Sequence, residues 1–388
     1  MIINLAGFNV DYDILKELDG NQNPALTPET FSAAYARISR SEKDITTLRQ
    51  EACRDVAKAR QSNKTIIFEM GHHSVAEHAV FNFDIMEVSR LALEELESFR
   101  LVSYMEKSQR YVKLHGDYHI PDEVDDPHSR REFKQMIESQ NRFYRKAIDI
   151  LKLYFKKILT GADEEAVSPR LIENCAKEDA RYILPLATLG QVGLTINARN
   201  LEHLFRRFHL SQHTEIQQIG QKIFDLIKEI APSIILFPTP SRFEQSCQTF
   251  SQDNLVLDQN RFRPGAGNPV ILDYTQDADH LILAHLASME NAIPYSDAMA
   301  HIKRLTKPAQ SRLYRRLMEN LEFYDGLPRV FEIPQIVFQA VISASNYAQL
   351  KRHRMSTLLK SNYHPWLGIT IPSSIQEVGL GREFKQLI

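Results

Sequence analysis

The chain has 388 residues, with 47 lysines and arginines against 49 aspartates and glutamates and a formal net charge of −2. This balance excludes the broad positive field with which proteins bind nucleic acid non-specifically, so a basic cluster here favours a local anion pocket. Apolar residues make up 43% of the sequence, enough for two domains or one large one. We expect no nucleic-acid partner.

The cysteines and the apolar runs indicate the compartment. Cys53, Cys175 and Cys247 lie far apart and form no CxxC pair, which is typical of reduced thiols and predicts no disulfide framework. No apolar run approaches the length of a membrane span. The apolar N-terminal segment acquires Asn and Asp within a few residues, unlike a signal peptide. We therefore expect a cytoplasmic protein with no membrane partner.

The hydrophobic pattern predicts mixed secondary structure. Residues 79–86 alternate apolar and polar side chains, as a half-buried strand does, and helical spacing follows directly. A long amphipathic helix is predicted over 131–158. Later elements are helices at 172–184, 198–208 and 211–231 and a short strand at 193–197. Because strands and helices do not alternate strictly, the pattern favours an α+β fold over a doubly wound sheet.

The sequence contains an internal repeat. Residues 120–137 align with 371–388 without a gap, sharing Ile-Pro, Arg-Glu-Phe-Lys-Gln and a final Ile, and 89–101 align with 343–355 in the same order. A partial duplication explains both matches. It predicts a complete copy over 1–235, a Pro- and Gly-rich linker over 236–270 and a partial second copy over 271–388. Because the second copy stops inside the element that forms the long helix of the first, we expect a truncated version of something longer.

Two short polar segments, each with a serine, carry candidate chemistry. The segment EKSQRY places Glu106, Ser108 and Arg110 on one side if it is extended, which suits a phosphate with a sugar hydroxyl. The alternative is a solvated strand edge. In GHHSVAEH, residues 71–78, His73 and Glu77 share a face if the segment is helical. HExxH is absent and no third ligand is suitably spaced, so no metal site is predicted.

Arginines follow in residues 178–218, where Arg181, Arg199, Arg206 and Arg207 stand among apolar residues. Taken singly, each is interpreted as a structural ion pair, but several together indicate acidic partners or an anionic ligand. No acidic partner is evident for Arg181 or Arg207. The sequence has no GxGxxG, GxxxxGK[ST] or GxSxG motif, so the common nucleotide and hydrolase fingerprints are excluded.

Several of these segments together resemble flavin-dependent thymidylate synthase. They are GHHSVAEHAVFNF, SYMEKSQRYV, ARYILPL, INARNL and RRFHLSQHTEIQQ, with AYARIS earlier in the chain. The resemblance runs through most of residues 30–230. It implies a central antiparallel sheet with helices, present here in two tandem copies of which the second is incomplete.

The family's hallmark motif begins with RHR and continues with spaced Ser and Arg residues. The first copy keeps the later half as Ser103, Ser108 and Arg110, but of the RHR triplet only Arg100 remains. The triplet reappears in the second copy at residues 352–354. Because family members are homotetramers with active sites assembled from several subunits, the resemblance implies that the two half-motifs serve one composite site. It implies a homodimer that acts as a pseudo-tetramer.

The resemblance also implies which residues bind the ligands. FAD would be held by Ser39, His72, Ser74, Glu77, Asn197, Arg199, His203, Arg352, His353 and Arg354. The substrate dUMP would be held by Glu106, Ser108, Arg110, Arg181 and Arg207, of which Arg181 and Arg207 would be the catalytic residues. His203 stands where the family usually has Asn, and Glu95 stands where a Gln would touch the nucleotide.

The implied reaction is the reductive methylation of dUMP to dTMP, with methylenetetrahydrofolate and NADPH as co-substrates and FAD carrying the redox chemistry. No cysteine nucleophile is involved. Two other functions stay open. In the first, the chain would be a paralogue that binds a flavin or nucleotide without making thymidylate. In the second, it would be an RNA-binding module that uses the KRHR segment, and the balanced charge of the chain disfavours this function.

Overall fold

The computed structural model describes residues 1–16, 26–160, 167–255 and 269–388. Its internal contacts divide the chain into two compact units. One is formed by 1–262, 343–365 and 369–388, and the other by 263–342 and 366–368. The predicted boundaries differ from this division, because residues 343–365 and 369–388 of the predicted second copy pack within the first unit. The duplication itself stays a prediction.

The first unit is built on a four-stranded antiparallel sheet in the order β1-β2-β4-β3. The strands are Ile2–Phe8 (β1), Val80–Ser89 (β2), Ser103–Glu106 (β3) and Leu189–Asn197 (β4). In β2, Phe81, Phe83 and Ile85 are buried while Asn82 and Asp84 are exposed. The predicted alternation is therefore confirmed, as is the short strand at 193–197 within β4, and the α+β class is correct.

The helices of the described residues are, in chain order, Tyr12–Lys16 (α1), Glu29–Arg37 (α2), Ile45–Arg54 (α3), Val56–Asn63 (α4), Arg90–Leu96 (α5), Pro127–Leu159 (α6), Pro169–Ala180 (α7), Ala198–His209 (α8), Thr214–Ile227 (α9), Arg242–Asn254 (α10), Ala278–Asn291 (α11), Tyr295–Arg304 (α12), Lys307–Leu317 (α13), Ala344–Leu350 (α14), Ser373–Glu377 (α15) and Gly381–Gln386 (α16). The predicted helices at 131–158, 172–184, 198–208 and 211–231 correspond to α6 to α9. None of the described helices is long and apolar enough to cross a membrane.

Side-chain caps fix where the helices near the sheet begin. Asp126 accepts hydrogen bonds from the backbone N–H groups of His128 and Ser129, and Pro127 occupies the first turn of α6. Asn197 caps α8 at the end of β4 by accepting from the Asn200 N–H. Such caps satisfy N–H groups that have no partner within the helix.

The two segments of the repeat have the same local structure. Ser89 caps the seven-residue helix α5 by accepting from the N–H three residues on, and Ser343 caps the seven-residue helix α14 in the same way. Both helices lie in the first unit. The alignment of 89–101 with 343–355 thus has a structural counterpart.

The two largest hydrophobic clusters among the described residues lie in the first unit. One joins the buried face of the sheet to α8 and α9, through residues such as Phe83, Leu194 and Phe208. The other joins α6 and α7 to the C-terminal helices, where the ring centroids of Phe143 and Phe384 lie 5.7 Å apart. Through this second cluster, the end of the chain packs on the long helix of the first copy.

The predicted linker, 236–270, is partly helical, since α10 occupies residues 242–254. Its residues 256–268 lie outside the described residues. The second unit contains the antiparallel strands Val270–Tyr274 (β5) and Ile336–Gln339 (β6) together with α11 to α13. Its small core includes Leu283, Ala284, Ala298 and Ile302.

Candidate active site

A pocket of about 340 Å³ lies in the first unit, at the junction of β4 and α8. Arg100, Ser103, Asn197 and Arg354 contribute to its lining. The volume falls in the range of ~300–1,000 Å³ typical of small-molecule sites. Arg354 of the RHR triplet and Asn197 of the first copy, which lie far apart in the sequence, are thus brought to one pocket.

The two arginines of this pocket have neutral partners. Arg100 Nη2 donates to Thr357 Oγ1 at 2.8 Å, and Arg354 Nη1 donates to the Arg100 carbonyl at 3.4 Å. The Arg354 guanidinium also lies 5.8 Å from the Tyr104 ring centroid. Within the described ranges, neither arginine pairs with a carboxylate. Two uncompensated positive charges make the pocket suitable for an anion.

Two of the predicted FAD residues bind each other. Arg199 at the start of α8 forms an ion pair with Glu77, which lies on the 3₁₀ helix His73–His78. In a 3₁₀ helix residues three apart share a face, so His73 and Glu77 do not. No group of three potential metal ligands occurs in the part of the chain that the structure describes.

Several other predicted FAD residues are exposed, namely Ser39, His72, Ser74, His203, Arg352 and His353. His72 Nε2 lies 3.4 Å from Arg40 Nη2, and His203 Nδ1 lies 3.3 Å from Arg206 Nη2. Desolvation of the ring, followed by the charges of Arg206 and Arg199, lowers the pKa of His203. Arg352 and His353 do not line the pocket that contains Arg354.

The predicted geometry of EKSQRY is wrong, because β3 ends at Glu106 and the extended alternation does not reach Ser108 or Arg110. Instead, the chain turns, and the Arg110 N–H donates to Ser108 Oγ at 3.3 Å. Glu106 Oε2 lies 3.4 Å from Lys351 Nζ. This carboxylate is therefore engaged by the second copy.

An arginine cluster adjoins this turn. Arg110 Nη1 lies 3.8 Å from Glu178 Oε1, and its Nε is buried without a hydrogen-bond partner among the described residues. Arg181 is 4% exposed, and burial together with the charges of Arg90 and Arg110 lowers its pKa. Arg181 Nε donates to the Glu178 carbonyl at 3.3 Å, and the negative charge of Glu178 opposes the lowering of the Arg181 pKa.

Sequence reasoning missed Arg90 in this cluster. It is 3% exposed, its Nη1 donates to the Leu184 carbonyl at 3.3 Å, and its Nη2 lacks a partner among the described residues. Burial lowers the pKa of its guanidinium. The signal in the sequence was a lone arginine in the apolar run VSRLAL, directly after the Ser89 cap.

Arg207 has an acidic partner, contrary to expectation. Its Nη2 lies 3.3 Å from Glu95 Oε2, and its guanidinium lies 5.3 Å from the Phe99 ring centroid. Glu95 Oε1 lies 3.4 Å from Lys360 Nζ of the second copy. These partners lie far apart in the sequence, so no local spacing reveals them.

This antiparallel fold, with its arginine-lined pocket and adjoining arginine cluster, defines a protein equipped to bind anionic ligands. Residues 24–233, more than half of the chain, match the family model described as "Thymidylate synthase complementing protein". The chain belongs to this family, which confirms the resemblance found in the motifs. The match ends before the RHR triplet of the second copy.

Individual relatives agree with the family match. The flavin-dependent thymidylate synthase of Clostridium tetani is 30% identical over 224 residues, 57% of this chain and 86% of that protein. That of Geobacter sulfurreducens is 29% identical over 225 residues, with the same two coverages. A solved structure titled as a UMP/dUMP methylase PolB from Streptomyces cacaoi bound with 5-Br dUMP is 17% identical, with a TM-score of 0.43, over 60% of this chain and 92% of that one.

Proposed function

We propose that the protein is a flavin-dependent thymidylate synthase, which uses FAD, NADPH and methylenetetrahydrofolate to convert dUMP to dTMP. Family membership supports the reaction class. The structural observation that carries the proposal is the meeting of Arg354 from the second copy with Arg100 and Asn197 from the first in one pocket. Half-motifs that are incomplete alone become one site in this arrangement.

The residues around this pocket fit FAD. Arg100 and Arg354 have neutral partners in the described chain, so a diphosphate group can be bound by two guanidinium groups. Ser103 and Asn197 add hydrogen-bonding groups to the lining. When bound, FAD supplies hydride chemistry that protein side chains lack.

The arginine cluster is the proposed dUMP phosphate site. Ser108 and Arg110 lie on the turn after β3, and the buried Arg181 is close enough to Arg110 for their charges to interact. Arg110 Nε has an unused donor within the described chain. A phosphate would satisfy this donor and relieve the repulsion between the guanidinium groups.

Arg207 is proposed to lie against the uracil ring. A guanidinium at a uracil carbonyl stabilises the negative charge that develops when C5 reacts, and a pre-placed donor does so without reorganisation. Arg181 would assist from the buried side of the site. The protein thus contributes binding, orientation and charge stabilisation.

We expect Arg110→Ala to weaken dUMP binding by ~1.5–3 kcal/mol, the usual contribution of a hydrogen bond to a charged group. Flavin content should not change, because Arg110 does not line the pocket of Arg354. Isothermal titration with dUMP measures the effect, and Lys107→Ala, an exposed change in the same segment, is the control. Equal affinity in Arg110→Ala and the parent protein would contradict the phosphate assignment.

Arg207→Ala should lower kcat more than it weakens dUMP binding, because its charge stabilisation is proposed to act in the transition state.

One observation favours a second candidate, a paralogue that binds flavin or nucleotide without making thymidylate. Glu95 Oε2 lies 3.3 Å from Arg207 Nη2, so a carboxylate stands beside the proposed uracil site. The Glu95 carboxylate would repel the negative charge that develops on the uracil during the reaction. It would also pair with Arg207, the residue that should stabilise that charge. Lys360, at 3.4 Å from Glu95 Oε1, offsets part of this charge.

Glu95→Gln distinguishes the two candidates. If the protein is a synthase, this variant should release tritium from C5-labelled dUMP up to about fivefold faster than the parent, equivalent to the ~0.2–1 kcal/mol of an exposed ion pair. The assay contains FAD, NADPH and methylenetetrahydrofolate, and the control is Glu132→Gln on α6, an exposed carboxylate. If neither the parent nor the variant releases tritium when loaded with flavin, the synthase proposal is wrong and the non-catalytic paralogue is the remaining candidate.

We also propose that the chain forms a homodimer that acts as a pseudo-tetramer. Large apolar side chains of the two-stranded β5–β6 sheet are 47–67% exposed, namely Ile271, Leu272, Tyr274, Ile336, Val337 and Phe338. A sheet of two strands is marginal alone, and an exposed apolar patch of this kind marks an interaction site.

Sedimentation velocity should therefore show a dimer, and Leu272→Asp with Phe338→Asp should shift it to the monomer. The matched control is Leu153→Asp on α6, which is 72% exposed. A strictly monomeric parent protein with full activity would rule out the assembly.

A further inference from the structure

A buried ion pair joins the two copies within the first unit. Lys351 Nζ lies 2.8 Å from Glu97 Oε2 and 3.4 Å from Glu106 Oε2. The three side chains are 3%, 5% and 11% exposed. A lysine buried to this degree needs carboxylate partners, and both come from the segment around β3.

A second contact of the same kind lies beside it. Lys360 Nζ lies 3.4 Å from Glu94 Oε2 and 3.4 Å from Glu95 Oε1. The Tyr363 hydroxyl donates to Glu94 Oε2 at 2.7 Å, and the Glu94 side chain is 1% exposed. We call Glu94, Glu95, Glu97 and Glu106 the acidic face, and Lys351 and Lys360 the basic face.

Both lysines of the basic face stand at positions of the predicted repeat that are equivalent to members of the acidic face. The chain separation that relates Ser89 to Ser343 also relates Glu97 to Lys351 and Glu106 to Lys360. At these two positions the copies therefore carry opposite charges. Arg100 keeps its charge in Arg354, whereas Glu94 and Glu95 align with the uncharged Ala348 and Gln349.

The surroundings of Arg100 and of its equivalent Arg354 are nearly reciprocal. Arg100 donates to Thr357, while its equivalent Arg354 lines a pocket with Ser103, the equivalent of Thr357. Reciprocal contacts between equivalent residues are the mark of a two-fold interface between identical partners. The arrangement around these two arginines resembles such an interface, but the charges at Glu97 and Lys351 are opposite rather than identical.

Pairing of two first copies through the same geometry would place two acidic faces together. Glu97 would then meet carboxylates in place of Lys351, in a position where burial and the nearby Glu106 already raise its pKa. Buried like charges are costly, and such repulsion is a common means of excluding the wrong partner.

We propose that these reversed charges commit the acidic face to the basic face of the second copy and exclude pairing between two first copies. Residues 343–365 thus replace, within one chain, the partner that a single-copy subunit would take from another molecule. Further self-association must use a different surface. The inference does not depend on the reaction proposed above.

The test is a charge swap in the full-length chain. Lys351→Glu should release residues 343–365, so that backbone amides of α14 exchange with deuterium about 100-fold faster than in the parent. Adding Glu97→Lys and Glu106→Lys, at the two carboxylates that contact Lys351, should bring the exchange back to within about tenfold of the parent rate. Lys43→Glu, which breaks an exposed ion pair with Glu51, should leave α14 unchanged.

If Lys351→Glu does not fold, recovery of a folded protein in the three-residue swap supports the proposal equally. Failure of the swap to restore folding or protection, when Lys43→Glu behaves as the parent, would overturn the proposal. Unchanged exchange in Lys351→Glu would overturn it as well.

Discussion

Replacing both Arg352 and Arg354 with alanine should weaken FAD binding by ~2–5 kcal/mol in total, since two charge-assisted contacts to an anion would be lost. The two residues lie differently with respect to the pocket. Arg354 lines the pocket, whereas Arg352 is exposed and does not line it. Arg354→Ala alone should therefore account for most of the loss. The flavin absorbance of the purified protein and fluorescence titration with FAD measure the effect.

A control for lost surface charge is Arg316→Ala, an exposed arginine on α13. It should retain the parent affinity for FAD. Full flavin affinity in the double variant would show that the second copy does not contribute to the site. In that case the proposal that two half-motifs are combined in one site would be wrong, even if the protein bound dUMP.

Breaking the buried contact between the copies should have an effect of similar size. Lys351→Met should lower the free energy of unfolding by ~3–5 kcal/mol, the usual cost of leaving one member of a buried pair without its partner. The group left without its lysine partner is Glu97, whose side chain is 5% exposed. Chemical denaturation of parent and variant, followed by circular dichroism, measures the difference. The exposed pair of Lys43 and Glu51 provides the control, for which Lys43→Met should cost ~0–1 kcal/mol.

The loss of unfolding free energy in Lys351→Met, relative to the parent, should increase as pH rises. Burial, the largest cause, raises the pKa of Glu97 in the folded protein, while Lys351 opposes the rise. Without Lys351, the folded-state pKa rises further above its unfolded value, so the contribution of Glu97 to stability is present at low pH and lost as pH rises through the folded pKa. The variant should therefore be further below the parent at pH 8 than at pH 5. A deficit under 1 kcal/mol at pH 8 would contradict the buried ion pair.

Local sequence patterns predicted the elements whose stability comes from one amphipathic face. The alternation in residues 79–86 gave β2, and the charged helical pattern of 131–158 gave α6, because each exposes polar residues on one side at a fixed period. The end of β3 at Glu106 was not predictable in this way. A four-residue strand is too short for its period to show where it stops.

The sequence by itself determined the family, through motifs that lie within 24–233, and predicted the repeat that links 89–101 to 343–355. It also showed that the RHR triplet and the later Ser and Arg are divided between two segments. Tertiary structure alone decided which charges meet. Arg207 with Glu95, and Lys351 with Glu97, are contacts between residues far apart in the chain, and ion pairing depends on distance and burial rather than on spacing in sequence.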